Sequence, residues 1–186
     1  MVAVITIIVI VVVLVGLLAV MYNSLVRRRN QVDNAWSQID VQLKRRHDLI
    51  PNLVETVKDY MSYEQETLTK VTDARAAAVS AGASGPAAQA AAENQLTQAL
   101  RSLFAVVENY PDLKANQNVM SLQEELTTTE NKISFARQFY NDSVYGYNTS
   151  IQSFPTNLIA GVFTFTAKQF FEGDEADREP VKVDLR

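Results

Sequence analysis

The feature that most constrains this chain is an unbroken apolar run at its amino terminus. From Val2 to Met21 no residue is charged, and only Thr6 and Gly16 interrupt the hydrophobic side chains. Wound as an α-helix at about 1.5 Å per residue, the run reaches about 30 Å, the hydrocarbon thickness of a bilayer. A soluble core helix is rarely apolar on every face, and a signal peptide has a basic start and a shorter apolar run. The run therefore predicts a transmembrane helix over residues 1–23.

The residues that follow the run have the character of a membrane interface. Tyr22 suits the headgroup level, and Arg27, Arg28 and Arg29 suit an anionic lipid surface. Because basic residues favour the cytoplasmic side, the amino terminus is expected outside and the remainder of the chain in the cytoplasm. These four residues are the predicted membrane-interface site, and membrane lipids are the predicted partner of this single-pass cell-membrane protein.

Composition narrows the chemistry that the remaining chain can perform. There is no cysteine and a single histidine, His47, which excludes disulfides, thiol nucleophiles and nearly every zinc arrangement. The net charge is −4, and basic residues outnumber acidic ones only near the membrane segment. This pattern favours attraction to a lipid surface and predicts no binding to nucleic acid.

Apolar residues recur at intervals of three and four after the membrane segment, which is the spacing of one helical face. The stripe comprises Val32, Trp36, Ile39, Leu43, Ile50, Val54, Val57, Met61, Leu68, Val71 and Ala78. It predicts one helix from Ser24 to Val79, about 84 Å long, in which Pro51 makes a kink rather than a break.

Two further helices follow. Gly82, Gly85 and Pro86 predict a helical hairpin, with a second helix from Pro86 to about Asn109. A third helix is expected to open near Asn118 or Ser121, where Ser121 and Glu124 have the spacing of a capping box, and to end before Phe154-Pro155. No alternating strand pattern appears before residue 150. The predicted fold class is all-α, an amino-terminal transmembrane helix continuing into an antiparallel bundle of three long helices and a short carboxyl-terminal helix, with an extended tail.

The predicted helix lengths differ, and the difference suggests self-association. Helices of about 35 and 50 Å cannot cover one of about 84 Å, so the stripe should stay partly free. Residues 24–153 are assigned to the cytosolic bundle. Residues 154–186 are rich in aromatic residues and end in a stretch where apolar and polar residues alternate. They are assigned to an assembly element or, alternatively, to a disordered tail. The predicted self-association residues of this homo-oligomer are Val32, Trp36, Ile39, Leu43, Phe163, Phe165, Val181 and Val183.

Tyrosine–asparagine pairs repeat along the third predicted helix. Tyr140-Asn141 and Tyr147-Asn148 stand seven residues apart and share one face. They predict either a partner-binding surface, since amphipathic rings suit interfaces, or rings that fill wide core layers while the asparagines bond at the edge.

No constellation of residues predicts catalysis. A di-metal carboxylate centre in a bundle needs Glu-x-x-His, and His47 has Lys44 three positions before it. His47 is therefore interpreted as a satisfied core or boundary histidine. Arg75 and Arg137 border their stripes, where a buried partner such as Glu108 or Glu130 would fix the helix register, or where the two arginines are merely solvated. The sequence predicts no catalytic, metal or cofactor-binding residue, no cofactor and no enzymatic activity.

Several separate motifs resemble the LemA family of bacterial membrane proteins. They are AWSQIDVQLKRRHDLIPNLVETVK, ENQL, ENYPDLKAN, LQEEL followed by TEN, and AR..YNDSV..YN..I..FP, in this order over about residues 22–155. The resemblance implies an amino-terminal transmembrane helix, an antiparallel cytosolic bundle and no established activity, and it assigns no catalytic residue. Two functions remain open: a self-assembling scaffold or organiser at the inner face of the membrane, or a tethered interaction or sensor subunit that binds another membrane or signalling protein.

Overall fold

The structure, a computed structural model, describes residues 1–171, and within this range the protein is entirely helical apart from turns and one extended segment. The described part contains six helices and no strand. The helices are α1 (Val2–Lys58), α2 (Gln65–Ala81), α3 (Pro86–Val107), α4 (Pro111–Lys114), α5 (Gln117–Gln152) and α6 (Thr156–Val162). The predicted all-α class, with a long apolar helix at the amino terminus, is confirmed.

Helix α1 continues without a break from the apolar run into the polar part of the chain. Pro51 lies inside α1, so it does not end the helix. The predicted end at Val79 is wrong, because α1 ends at Lys58 and α2 begins at Gln65. One predicted helix is therefore two.

The turn between α1 and α2 contains neither glycine nor proline, the usual signals of a helix end. The backbone N–H groups of Tyr60 and Met61 both donate to the carbonyl of Val57, at 3.1 and 3.0 Å. Met61 is fully buried inside the turn. Because Met61 keeps phase with Val57, the apolar spacing runs through the turn and imitates a continuous helix.

The hairpin between α2 and α3 follows the prediction. Gly85 has φ 96°, a conformation that favours glycine, and Pro86 occupies the first turn of α3.

Helix α5 begins earlier than predicted, at Gln117. The side chain of Asn116 accepts hydrogen bonds from the N–H groups of Asn118 (2.9 Å) and Val119 (3.4 Å), so Asn116 is the cap and Ser121 lies within the helix.

The chain divides into two compact units. The first unit contains residues 1–39 and 136–169, and the second contains residues 40–135 with 170–171 among those described. In the second unit, segments of α1 and α5 pack with α2 and α3, each antiparallel to the next because the connections are short. Its core is apolar and includes Ile50, Leu53, Val57, Met61, Val71, Leu96, Leu103, Leu113 and Val119.

The first unit contains the apolar part of α1, the last turns of α5, and α6. The rings of Trp36 on α1 and Tyr140 on α5 lie 5.3 Å apart between centroids. Nearer the apolar run, Arg28 contacts the carbonyl of Gly146. These pairs show that α1 and α5 run antiparallel in this unit. Residues after α6 then return along α5 in an extended conformation.

Candidate functional site

The amino-terminal part of α1 exposes apolar side chains around its whole circumference. Every residue from Val2 to Val20 is exposed, and no part of the apolar window is buried. Among the described residues, α1 is the one helix that is long and apolar enough to span a membrane. A helix that is apolar on all sides and uncovered by protein is suited to lipid.

An aromatic and basic collar follows this part of α1, formed by Tyr22, Arg28, Arg29, Phe163 and Phe165. The Tyr22 ring lies 4.8 Å from the Phe163 ring and 5.8 Å from the Phe165 ring. The Arg29 guanidinium lies over the Phe165 ring at 5.3 Å, within the range of a cation–π contact. Tyr22 and Arg29 thus contact residues that follow α6, while the membrane-interface role of Tyr22, Arg27, Arg28 and Arg29 stays a prediction.

The apolar stripe of α1 is not free in the described structure. Val32, Ile39 and Leu43 are fully buried, and Trp36 is half-buried against Tyr140. The assumption of an uncovered stripe is therefore wrong, because α1 is shorter than predicted and the 36-residue α5 is long enough to cover its polar part. Self-association itself stays a prediction.

The remaining predicted assembly residues have different surroundings. Phe163 is exposed beside Tyr22, whereas Phe165 is buried. Val181 and Val183 lie outside the described residues.

Three residues of the tyrosine–asparagine pairs bind the extended segment that follows α6. The Tyr140 hydroxyl donates to the carbonyl of Gln169 (2.8 Å), and the Tyr147 hydroxyl donates to that of Thr166 (3.0 Å). Asn148 makes two bonds with the backbone of Lys168: its amide donates to the carbonyl and its oxygen accepts from the N–H, both at 2.9 Å. We call Tyr140, Tyr147 and Asn148 the peptide clamp.

The side chains of the clamp are buried or half-buried. Tyr140 and Tyr147 are buried, and Asn141 and Asn148 are half-buried, as the core interpretation expects. A protein partner would reach these rings only by displacing residues 166–169. Burial raises the pKa of both tyrosine hydroxyls above the ordinary value, so the two groups stay protonated donors.

A second polar site lies in the second unit, where Arg46, His47, Glu93, Thr97 and Glu130 form a charged cluster. Arg46 is fully buried and pairs with both Glu93 and Glu130, and it also donates to the Thr97 hydroxyl at 2.9 Å. The His47 Nε2–H donates to Glu93 at 2.8 Å. The cluster therefore joins α1, α3 and α5.

The cluster holds Glu93 ionised. Burial alone raises the pKa of this carboxyl, but the hydrogen bond from His47 and the charge and hydrogen bond of Arg46 outweigh it, so the pKa lies below the ordinary value. Arg75 adds α2 to the same region, since its Nε donates to the carbonyl of His47 at 2.7 Å. The predicted satisfied histidine is present, but the arginine that pairs with Glu130 is Arg46, not Arg75.

Sequence reasoning missed Arg46 and Glu93, although the apolar stripes contained a signal. Arg46 lies three residues after Leu43 and four before Ile50, both buried, and Glu93 lies three before buried Leu96. A charged residue at a core position indicates a buried partner elsewhere in the chain. A lone charge in a stripe does not identify that partner, because the pairing depends on which helices are neighbours.

The polar groups of the cluster bind one another. Thr97 both accepts from Arg46 and donates to the carbonyl of Glu93 at 3.1 Å, so its hydroxyl is already bonded. Within residues 1–171 no group of three or more His, Cys, Asp or Glu side chains is placed to hold a metal ion. The fold and these sites define a helical bundle whose amino-terminal helix is long and apolar enough to span a membrane.

Comparison with known proteins gives the family. The LemA family model matches residues 35–185, and the chain belongs to the LemA family. It is similar to Protein LemA of Metamycoplasma hominis, with 28% identity over 161 residues, which cover 86% of this chain and 72% of the relative. It is also similar to Magnetosome protein MamQ 2 of Paramagnetospirillum magneticum (25% identity, 90% of this chain, 70% of the relative). Magnetosome protein MamQ of Magnetospirillum gryphiswaldense is 24% identical over 88% of this chain and 69% of its own length.

Proposed function

We propose that the chain is a non-catalytic, membrane-anchored helical protein that self-assembles as a scaffold or organiser at the inner face of the bacterial membrane. The observation that carries the proposal is the unbroken helix α1, whose exposed apolar part continues directly into the polar part of the chain. A membrane segment joined without a flexible linker places every copy in the same layer with the same polarity. Confinement of this kind raises the effective concentration of the copies, so that weak contacts between them form more readily.

The proposed orientation has the amino terminus outside and the bundle in the cytoplasm. It is supported by Arg27, Arg28 and Arg29, which are separated by five residues from the end of the apolar run at Met21. The chain lacks cysteine, so a Tyr63→Cys variant carries one exposed thiol. A membrane-impermeant maleimide should label it in inside-out vesicles and leave it unlabelled in sealed cells, and the reverse pattern would overturn the orientation.

Self-assembly is supported by exposed aromatic side chains on α5, outside the apolar run. Phe135, Phe139 and Tyr145 are exposed on this helix. Aromatic rings are enriched where proteins associate, and they carry much of the contact energy there. The buried stripe of α1 is no longer needed for the proposal.

The absence of catalysis is supported by the state of the polar groups. In the charged cluster, Arg46, Glu93 and Thr97 bind one another, and in the peptide clamp the tyrosines and Asn148 bind backbone. The relatives' names, Protein LemA and Magnetosome protein MamQ, are not names of enzymes.

Sizing in lipid nanodiscs tests the self-assembly. The wild-type chain should elute as an oligomer, and Phe139→Glu with Tyr145→Glu should shift it to the monomer by placing charge on the contact. The matched control, Gln138→Glu with Thr149→Glu, adds the same charge at exposed polar positions of the same helix and should keep the oligomer. A monomeric wild type would overturn the scaffold and favour the alternative, an interaction or sensor subunit.

That alternative rests on the peptide clamp. Residues 166–169 occupy the clamp as an extended ligand would, with side chains of α5 bonded to their backbone. A partner segment with an extended backbone would use the same bonds after displacing them. An Asn148→Ala variant that leaves binding of such a partner unchanged would remove this alternative.

A further inference from the structure

Residues 154–165, which we call the α6 segment, lie against the part of α1 that is suited to the membrane. An apolar groove between them is lined by Val15, Leu18, Ala19 and Tyr22 of α1 and by Leu158, Ile159, Val162 and Phe163 of the α6 segment. Ile159 and Ala160 are buried, so the segment is packed onto the protein on one side.

The α6 segment also has apolar side chains that remain largely exposed, three of which border this groove. Phe154 is 80% exposed, Leu158 62%, Val162 78% and Phe163 56%. Leu158 and Val162 are one turn apart and therefore share a face of α6. Isolated exposed apolar residues are ordinary on a protein surface, but four within ten residues of a short segment form a patch that requires a partner.

Position along α1 identifies what covers this patch. Val15 precedes Tyr22 by two turns, so the groove extends about 10 Å along α1 into the apolar run. A helix that borders the same groove as Val15 and Leu18 lies at their depth, and interfacial helices bury their apolar faces to about 5–10 Å. In a bilayer, the surroundings at that depth are lipid acyl chains.

Charge along the chain agrees with this placement. From Ser143 to Ala167 no residue is charged, which brackets the α6 segment on both sides. The charges that resume lie where they reach water: Lys168 pairs with Asp33 at 2.9 Å, and both side chains are partly exposed. A charged side chain at acyl-chain depth is strongly unfavourable, so its absence is expected of a segment in lipid.

We infer that the α6 segment is a second membrane-contact element, which inserts into the cytoplasmic leaflet beside α1 with Phe154, Leu158, Val162 and Phe163 among lipid acyl chains. The inference rests on the membrane anchoring in the proposed function. It replaces the assignment of Phe163 to self-association with an assignment to lipid. In this arrangement the collar anchors the protein through residues from both ends of the described chain, Tyr22, Arg28 and Arg29 from α1 and Phe163 and Phe165 from the α6 segment.

Depth-dependent fluorescence quenching of the full chain in vesicles tests the inference. Single-cysteine variants Leu158→Cys and Val162→Cys carry an environment-sensitive fluorophore in vesicles of phosphatidylcholine and phosphatidylglycerol, with nitroxide-labelled phosphatidylcholine as quencher. Leu18→Cys reports on the α1 anchor, and Val79→Cys is the matched exposed valine, on α2. Nitroxides near the headgroup should quench the Leu158 and Val162 labels at least about threefold more than the Val79 label.

The outcomes separate the two proposals. A quenched Leu18 label with Leu158 and Val162 labels as unquenched as Val79 would overturn the lipid contact and leave the α1 anchor standing. The same result together with a disulfide between two copies of the unlabelled Val162→Cys variant would assign the patch to a second copy and also overturn the inference. An unquenched Leu18 label would overturn the anchor and the lipid contact together.

Discussion

The two units of the molecule stabilise their polar groups in different ways. The second unit buries a full positive charge, Arg46, and balances it with Glu93 and Glu130. The first unit buries neutral donors instead, the hydroxyls of Tyr140 and Tyr147, which bind backbone carbonyls. The unit that contains the apolar run of α1 keeps its buried polar contacts uncharged, whereas the other tolerates charge because several helices converge to neutralise it.

The largest effect that distinguishes the units should come from removing Arg46. Arg46→Met leaves Glu93 buried without its cation, which should destabilise the second unit by about 3–5 kcal/mol. Urea unfolding of the full chain in mild detergent, followed by hydrogen exchange in α3, measures this change. Arg45→Met is the control, since Arg45 and Glu125 form an exposed pair that should contribute about 0–1 kcal/mol. Equal losses in the two variants would show that the cluster does not stabilise the second unit.

The pH dependence of the two units should differ in sign and range. The folded-state pKa of Glu93 is lowered, so its contribution is present above the unfolded value, about 4.3, and is lost as pH falls through the folded pKa. The pKa values of Tyr140 and Tyr147 are raised, so their contribution is present below about pH 10 and is lost as pH rises through the folded values. Acid should therefore unfold the second unit at a pH at which the first unit is still folded. Alkali should unfold the first unit while the second is still folded.

Hydrogen exchange of α3 and of residues 164–169 across the pH range reads both units in one sample. The effect in acid should be smaller than that of Arg46→Met, because a protonated Glu93 still forms hydrogen bonds. Glu93→Gln should flatten the acid limb of the second unit and leave the first unchanged. Parallel loss of protection in both segments at either end of the range would argue against separate chemistries.

A smaller effect is expected from breaking the peptide clamp. Asn148→Ala removes both side-chain bonds to Lys168, and an unsatisfied partly buried peptide group costs about 1–3 kcal/mol. Faster hydrogen exchange and proteolysis confined to residues 164–169 would be the signature. Thr149→Ala, at an exposed position on the same helix, should leave the segment protected. Loss of protection in α3 as well would mean that the clamp stabilises more than the first unit.

The smallest effect should come from the exposed ion pair of the first unit. Asp33→Asn breaks the contact of Asp33 with Lys168 and should destabilise the unit by about 0–1 kcal/mol, an effect that salt screens. Thermal unfolding at low and high ionic strength measures it, with the exposed Asp142→Asn as the charge-matched control. A larger loss that persists at high salt would place Asp33 in the same class as the charged cluster.

The sequence predicted what periodicity and length encode. The apolar run, the hairpin at Gly85-Pro86 and a long third helix that ends before Phe154-Pro155 follow from local sequence, and all are present. The turn after Lys58 was missed because Met61 fills a core position inside it. The spacing of apolar residues therefore continues through the turn and does not indicate a helix end. Local spacing therefore predicts helical faces better than it predicts helix ends.

The sites depended on contacts between distant parts of the chain, and these were harder to predict. Asn148 was recognised as part of a repeated pair, but its ligand, Lys168, lies twenty residues later on an extended segment with no periodic signal. Glu93 lies in an alanine-rich stretch, and its link to Arg46 exists only because α3 packs beside α1. Each pairing needed the helix arrangement first.

Counting the copies in a single membrane particle tests the proposed scaffold most directly. A Ser84→Cys variant, labelled with one fluorophore in the exposed turn between α2 and α3, reports the subunit number by photobleaching of native membrane vesicles diluted to one particle each. Self-assembly predicts several bleaching steps per particle, and fewer in the Phe139→Glu, Tyr145→Glu variant. Single-step bleaching in nearly every wild-type particle would contradict it.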